Sequence, residues 1–395
     1  SKVLGRIAIG RIRRGTIRKA QEVAIMAGDK LVRKAKIGIL HTFQGLEKVE
    51  TASASVGEIV SVTGIEDFVI GTTYSDVETQ EGLPMVGVDE PTLTMNFQVN
   101  TSPYAGQEGK YVTSRQIRER LTREVLHNVA LRVEDTENPD KFRVFGRGEL
   151  HLGVLLENMR REGYELAVSR PRAVVKEIEG QMCEPYETLA VDLDDTSQGA
   201  VMQALGERGA QLTGMHADGR GRVRLDYTIP SRGLIGFQTD FRTMTSGTGL
   251  MHHIFDHFGA VLDREVGQRQ NGVLIANSQG KALAYALFSL QERGKLMIGH
   301  GDEVYEGQVI GIHSRDNDLV VNPLKGKKLT NIRAAGKDEN VVLVPPIRYT
   351  LEQAMEFIGD DELVEVTPTA IRLRKRFLKE HERKRSGKAA EEAVE

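Results

Sequence analysis

"GRGELHLGVLLENMRREGYELAV", residues 146–168, decides the fold class of this chain. Leu152, Leu155, Leu156 and Met159 fall at i, i+3, i+4 and i+7, which is one apolar stripe along an amphipathic helix. "YELAV" then drops the helical period and reads as a strand. Upstream, Leu93, Met95, Phe97 and Val99 alternate as a half-buried strand does. Thr113 with Gln116 forms a capping box before a helix that carries Ile117, Leu121 and Val125 on one side. "ALRVED" and "KFRVFGR" supply two further strands, so the order βαββαβ predicts a ferredoxin-like split sandwich.

Working outward, the same order recurs with different residues. "TLAVDL" reads as a strand, residues 197–209 as a helix with Val201 and Leu205 inward, and "QLTGM" with "RVRLDYTI" as a hairpin around "HADGRGR". A helix bearing Leu234, Phe237, Phe241 and Met244 follows, and "GLMHHIFDHF" returns as a strand. Residues 1–88 hold only short strands separated by Gly-bearing turns, the texture of a small barrel. After residue 262 come "GVLIAN", a helix over 281–292, several more strands and a short helix over 351–358. The expected fold class is multidomain α+β: a β-barrel at 1–88, ferredoxin-like sandwiches at 89–179 and 180–261, and a mixed α/β C-terminal domain at 262–395.

Composition narrows the function classes. The 395 residues are 39% hydrophobic and 28% charged, with net charge −3, and no 18-residue apolar run suits a bilayer. A cytoplasmic protein without a membrane partner is expected. Cys183 is the single cysteine, so it forms no internal disulfide and cannot by itself hold zinc. The phosphate-loop spacing G-x-x-x-x-G-K-[ST] does not occur, and Gly219 with Gly221 reads as hairpin-turn chemistry rather than a nucleotide motif. His253 and His257 have metal-ligand spacing only on a helix; on a strand they stand about 13 Å apart at about 3.3 Å per residue. Glu149 near His151 is explained by the preference of a carboxylate for a helix N-terminus. Ser231 reads as an N-cap, since G-x-S-x-G is absent. No catalytic residue, metal site or cofactor is expected in this chain, and it is read as not itself an enzyme.

The charge is strongly segregated. Residues 1–36 hold eleven Lys or Arg against Glu22 and Asp29, whereas residues 37–90 hold ten acids against Lys48. A second basic zone follows residue 370 in "IRLRKRFLKEHERKRSGK", with Arg374, Lys375 and Arg376 in its first half. The third is "NPLKGKKLTNIRAAGKDEN", residues 322–340, which lacks helical or alternating periodicity. Lys325, Lys327, Lys328, Arg333 and Lys337 there suit phosphate neutralisation, and Asn322 and Asn331 suit base edges or ribose. A solvated charged face is the alternative for any one cluster; three together point to nucleic acid. With few aromatics and no Trp, backbone and shape recognition of folded RNA is favoured over base stacking.

Six stretches carry a family resemblance. "GRIRRGTIRKAQEV" with "FQGLEKVETASASVGEIVSVTGIED" resembles the second-domain barrel of translational GTPases. "GRGELHLGVLLENMRREG" resembles their third domain, and "SRGLIGFQTDFRTMTSGTG" the last sandwich of elongation factor G. "NTSPYAGQEGKYVTSRQI" and "NPLKGKKLTNIRAAGKDE" are similar to the BipA/TypA ribosome-associated GTPase family. The resemblance implies that a GTP-binding domain, using GTP and Mg, precedes the barrel. It further implies docking at the factor site of the bacterial ribosome, with roles in stress and cold adaptation and in large-subunit assembly. By the same resemblance Arg11, Arg13, Arg14 and Arg18 face small-subunit RNA. The 322–337 loop reaches toward the large subunit and the acceptor end of A-site tRNA. A monomer bound to ribosome, ribosomal RNA and tRNA is expected. Two rival readings are a LepA-type factor and a regulatory module that binds a small metabolite between the tandem sandwiches.

Overall fold

A computed structural model describes residues 6–66, 68–85, 90–264, 266–267, 269–326 and 342–392, with side chains described to residue 387. It divides into two compact units, residues 1–89 and 90–395.

In the first unit, nine short strands surround one apolar core: β1 (Ala8–Arg11), β2 (Thr16–Arg18), β3 (Glu22–Ala27), β4 (Lys30–Lys36), β5 (Leu40–Gln44), β6 (Glu47–Glu50), β7 (Ser53–Ser55), β8 (Ile59–Val62) and β9 (Thr73–Ser75). They are hydrogen-bonded as three sheets, in the orders β1-β8-β5-β6, β4-β3-β9 and β2-β7. Val23, Ile25, Ile37, Leu40, Val60, Val62 and Ile65 pack between them.

The second unit opens with β10 (Leu93–Gln98), α1 (Ser114–Val125), β11 (Arg132–Asp135), β12 (Lys141–Gly146), α2 (Glu149–Arg161) and β13 (Leu166–Ser169). Their sheet order, β11-β12-β10-β13, is that of the split βαβ sandwich. Thr113 caps α1 as the sequence indicates: its hydroxyl accepts from the Gln116 backbone N–H, and the Gln116 side chain reaches back. Leu152, Leu155, Leu156 and Met159 of α2 are buried, as their spacing requires.

Two short strands, β14 (Arg172–Ala173) and β15 (Lys176–Ile178), lead into β16 (Gln181–Asp194), α3 (Gln198–Glu207), β17 (Gln211–Ala217), β18 (Arg222–Pro230), α4 (Ser231–Leu234), α5 (Phe237–Met244) and β19 (Leu250–Ala260). The order β17-β18-β16-β19 repeats the first pattern. Leu189, Val191, Val201, Leu205, Leu225, Phe237 and Phe241 form its own core. The single helix expected across Leu234 to Met244 is broken in two, because Gly236 adopts φ +73° between α4 and α5. Ser231 is not the N-cap: Pro230 occupies that position, and the buried Ser231 hydroxyl has no hydrogen-bond partner among the described residues.

Beyond this sandwich lie β20 (Val273–Ala276), β21 (Gly280–Lys281), α6 (Ala284–Leu290), β22 (Gly294–Leu296), β23 (Glu303–Val304), β24 (Gln308–His313), β25 (Leu319–Val321), α7 (Leu351–Phe357), β26 (Glu362–Val366), β27 (Ile371–Lys375) and α8 (Glu380–Glu392). Here the structure departs from a self-standing C-terminal domain. Strand β26 pairs antiparallel with β13, Val364 opposite Val168. One sheet therefore runs β11-β12-β10-β13-β26-β27-β24-β20-β25, with β14 paired to β10 and β22 to β24. The apolar core is shared to match: Phe97, Leu152 and Leu166 pack in one cluster with Val309, Met355, Val364 and Leu373.

Candidate nucleic-acid interface

In the first unit Arg11 closes β1, Arg13 and Arg14 stand in the turn after it, and Arg18 closes β2; all four are exposed. Gly15, at φ +72°, makes that turn possible. Arg14 Nη1 donates to Glu81 Oε2 at 2.7 Å, but with both side chains more than 60% exposed the bridge is screened and leaves the cation usable. Arg18 uses its backbone N–H, not its guanidinium, to bond Gln21 Oε1 at 2.8 Å. The structure adds cations that the sequence reading passed over. Lys30, Lys34 and Lys36 are exposed along β4, which is the edge of its sheet. Four cations within "KLVRKAK" were the available signal, although lysines on an edge also serve simply to block strand-to-strand aggregation.

The basic loop has well-anchored roots. Val321 ends β25 in the core, and Asn322 Oδ1 accepts from the Leu324 N–H at 2.9 Å, a side-chain turn that leads Lys325 into solvent. On the far side, Gln291 Nε2 donates to the Val342 carbonyl at 3.2 Å and Gln291 Oε1 accepts from the Val344 N–H at 3.2 Å. Lys327, Lys328, Asn331, Arg333 and Lys337 lie outside the described residues.

Two residues of the C-terminal basic zone are corrected. Arg374 is 1% exposed and Lys375 is 2% exposed, so neither can meet RNA. They lie on β27, flanked in the sheet by β26 and β24 and covered on both faces. Lys375 Nζ lies 2.6 Å from Asp318, 2.8 Å from Asp361 and 2.9 Å from Glu362. Burial alone would lower its pKa, yet Glu362 and Asp361 raise it overall. Arg374 Nη2 donates to Thr101 Oγ1 at 3.1 Å. Arg376 is exposed, with Nη2 donating to the Asp360 carbonyl at 2.6 Å.

The other sequence candidates are absorbed locally. His253 Nδ1 pairs with Glu187 Oε2 at 2.5 Å, and His257 with Asp256 at 2.8 Å while its ring stacks on Tyr186. No group of three or more metal-ligating side chains occurs among the described residues. His151 Nε2 contacts Asn128 Nδ2 at 2.7 Å. Glu149 is not explained by the helix dipole alone: burial first, then the Glu356 charge, pushes its pKa up to about 8. At 218–221 the turn does not fit a nucleotide phosphate, because Asp218 Oδ1 already accepts from the N–H groups of Arg220 and Arg222, at 2.7 and 3.0 Å. A groove of about 460 Å³ beside α2 is lined by Arg160, Arg348 and Arg372. Each of the three is paired, to Glu157, Asp302 and Glu365 respectively, which leaves little free charge to recognise a metabolite.

The family model described as elongation factor Tu domain 2 matches residues 5–75, elongation factor G C-terminus matches 181–268, and TypA/BipA C-terminal domain matches 271–380. A protein of Escherichia coli strain K12, named large ribosomal subunit assembly factor BipA, is 62% identical over 98% of this chain and 64% of its own length. Proteins of the same name from Haemophilus influenzae and Buchnera aphidicola are 60% and 51% identical over 98% of the chain, covering 62% and 63% of their own lengths. The chain thus spans somewhat under two thirds of the curated relatives it matches. These matches overturn the expectation that the chain is not an enzyme. It aligns along 98% of its length with large ribosomal subunit assembly factors, so it is not set apart from them as a separate binding module.

Proposed function

Because the chain belongs to the TypA/BipA family, we propose that it serves a cytoplasmic GTP-hydrolysing factor that acts on the bacterial ribosome in large-subunit assembly, with roles in stress and cold adaptation. In this reading the chain provides the factor's grip on RNA and docks as a monomer at the factor site. GTP and Mg chemistry is proposed for the protein as a whole, and no residue described above is assigned to it. The working division is a barrel at 1–88, sandwiches at 89–179 and 180–261, and a C-terminal domain from 262. Arg11, Arg13, Arg14 and Arg18 are proposed to contact small-subunit RNA. Asn322, Lys325, Lys327, Lys328, Asn331, Arg333 and Lys337 are proposed to reach the large subunit and the acceptor end of A-site tRNA, with Arg376 as a further phosphate contact.

The observation that carries this reading is the rooting of the basic loop. An Asn322 turn on one side and the Gln291 clamp on the other fix the two ends of a segment whose sequence carries five cations in a chain of net charge −3. The match of 271–380 to the TypA/BipA C-terminal domain favours this family over a LepA-type factor.

Co-sedimentation with ribosomes across a salt series tests the proposal. Each lost phosphate contact lowers the slope of log affinity against log salt by roughly one unit. Lys325→Ala and Arg13→Ala are each expected to do so. An unchanged slope in both variants sinks the reading.

A further inference from the structure

Glu149, the first residue of α2, stands where three parts of the second unit converge: the first sandwich, the Gly236 turn ahead of α5 in the second sandwich, and α7. Its Oε2 lies 3.5 Å from the Gly236 N–H. Its Oε1 is sealed from solvent and has no hydrogen-bond partner among the described residues, although the residue as a whole is only half-buried. From α7, the Glu356 carboxylate faces the same spot and accepts from Thr239 Oγ1 at 2.8 Å. A side chain on Gly236 would begin 3.6 Å from Glu356 Cβ, which places the turn within ordinary van der Waals reach of α7.

The surrounding charges leave Glu149 without a bonded cation. Arg208, at the end of α3, gives Nη1 to the carbonyls of Gly233 and Ile235 and Nη2 to Asp240. Arg170, after β13, gives Nη2 to the Gly267 carbonyl at 2.5 Å. His253 on β19 is bonded to Glu187, and Glu352 stands with Glu356 on α7. Ionising Glu149 in place would put a second anion beside Glu356, with Oε1 met by no donor among the described residues and Oε2 only by the Gly236 N–H at 3.5 Å.

We propose that Glu149 is a proton-dependent element of this joint: its neutral carboxyl fits beside Glu356 where α2, the Gly236 turn and α7 meet, and ionisation, which sets two anions together there, favours opening of the joint at that turn. Opening exposes Glu149 to water, where it ionises near its ordinary pKa of 4.5, whereas in the closed joint it keeps its proton to about 8. Release therefore becomes easier as pH rises between those values and levels off above them. This device concerns only the joint and stands whether or not the chain binds RNA.

Amide hydrogen exchange on the full chain, corrected for the intrinsic pH dependence of exchange, reads it directly. Protection of residues 235–240, taken relative to the core amides of β16, is expected to fall by roughly tenfold per pH unit from pH 6 to 8 and then level. Glu149→Gln is expected to abolish this slope. Glu356→Gln, which removes the repelling charge while leaving Glu149 in place, is expected to move the levelling point to lower pH, an effect that no purely structural role produces. An identical slope in the wild type and Glu149→Gln overturns the proposal, and so does an unmoved levelling point in Glu356→Gln should Glu149→Gln not fold.

Discussion

Lys375 is a cation that the fold uses internally. Three carboxylates, from Asp318, Asp361 and Glu362, surround its ammonium, and Arg269 reaches Glu362 from the other side at 2.8 Å. A buried ion cluster of this kind adds little over an apolar replacement of the whole set, but removing one member leaves the others uncompensated. Lys375→Met is expected to destabilise the second unit by about 3 kcal/mol in denaturant unfolding, while leaving the salt slope of ribosome binding unchanged. That second result separates it from Lys325→Ala. Burial opposes ionisation of Glu362, yet Arg269 and Lys375 hold its pKa down to about 2. A carboxyl with a depressed folded pKa stabilises at pH above its ordinary value of 4.5 and loses that contribution as pH falls toward 2. The wild type is accordingly expected to lose stability across that acid window more steeply than Glu362→Gln, measured as thermal midpoint against pH. Glu149 acts in the opposite sense within the same unit. Its raised pKa makes the folded state bind more protons than the unfolded chain between pH 4.5 and about 8, so that its contribution to stability falls as pH rises through that interval.

Secondary elements show which features a sequence displays and which it hides. The α2 stripe and the capping box at Thr113 are local, set by residues three or four apart, and both are legible without a structure, whereas the like box at Thr350 was not read from the sequence. The β13–β26 seam is not, because its partners lie about two hundred positions apart and pairing of two buried strands leaves no periodicity to read. The same seam explains the misplaced cations: "IRLRK" shows its charges plainly, but the acids that neutralise Lys375 come from other elements. Among the candidate contacts, Arg11, Arg13, Arg14, Arg18, Asn322 and Lys325 are exposed. The edge lysines of β4 needed the sheet order to be seen. Val364, fully buried on β26 opposite Val168, tests the seam. Val364→Ala is expected to destabilise by on the order of 2 kcal/mol through the cavity it leaves, with protection in hydrogen exchange falling in β13 and β26 together. A loss confined to β26 would show that the shared sheet does not act as one cooperative element.

At the scale of the molecule, separate cores set how the chain unfolds. The first unit's core, built around Ile25, Leu40 and Val62, draws only on residues before 90. In the second unit one cluster draws on residues from Leu93 to Leu373, and so joins the first sandwich to the C-terminal strands across the length of the intervening sandwich. Cooperative units follow shared burial rather than sequence order. Residues 90–170 and 271–375 should therefore lose protection at one denaturant concentration, although some hundred residues separate them, while residues 6–66 follow their own transition. Ile25→Ala is the discriminating variant: Ile25 is fully buried, and its truncation costs about 2–5 kcal/mol. Segment-resolved exchange or pulse proteolysis should show the first unit's midpoint falling while that of β10, β13 and β26 stays where it was. A single midpoint that moves for every segment would mean that the two cores unfold as one.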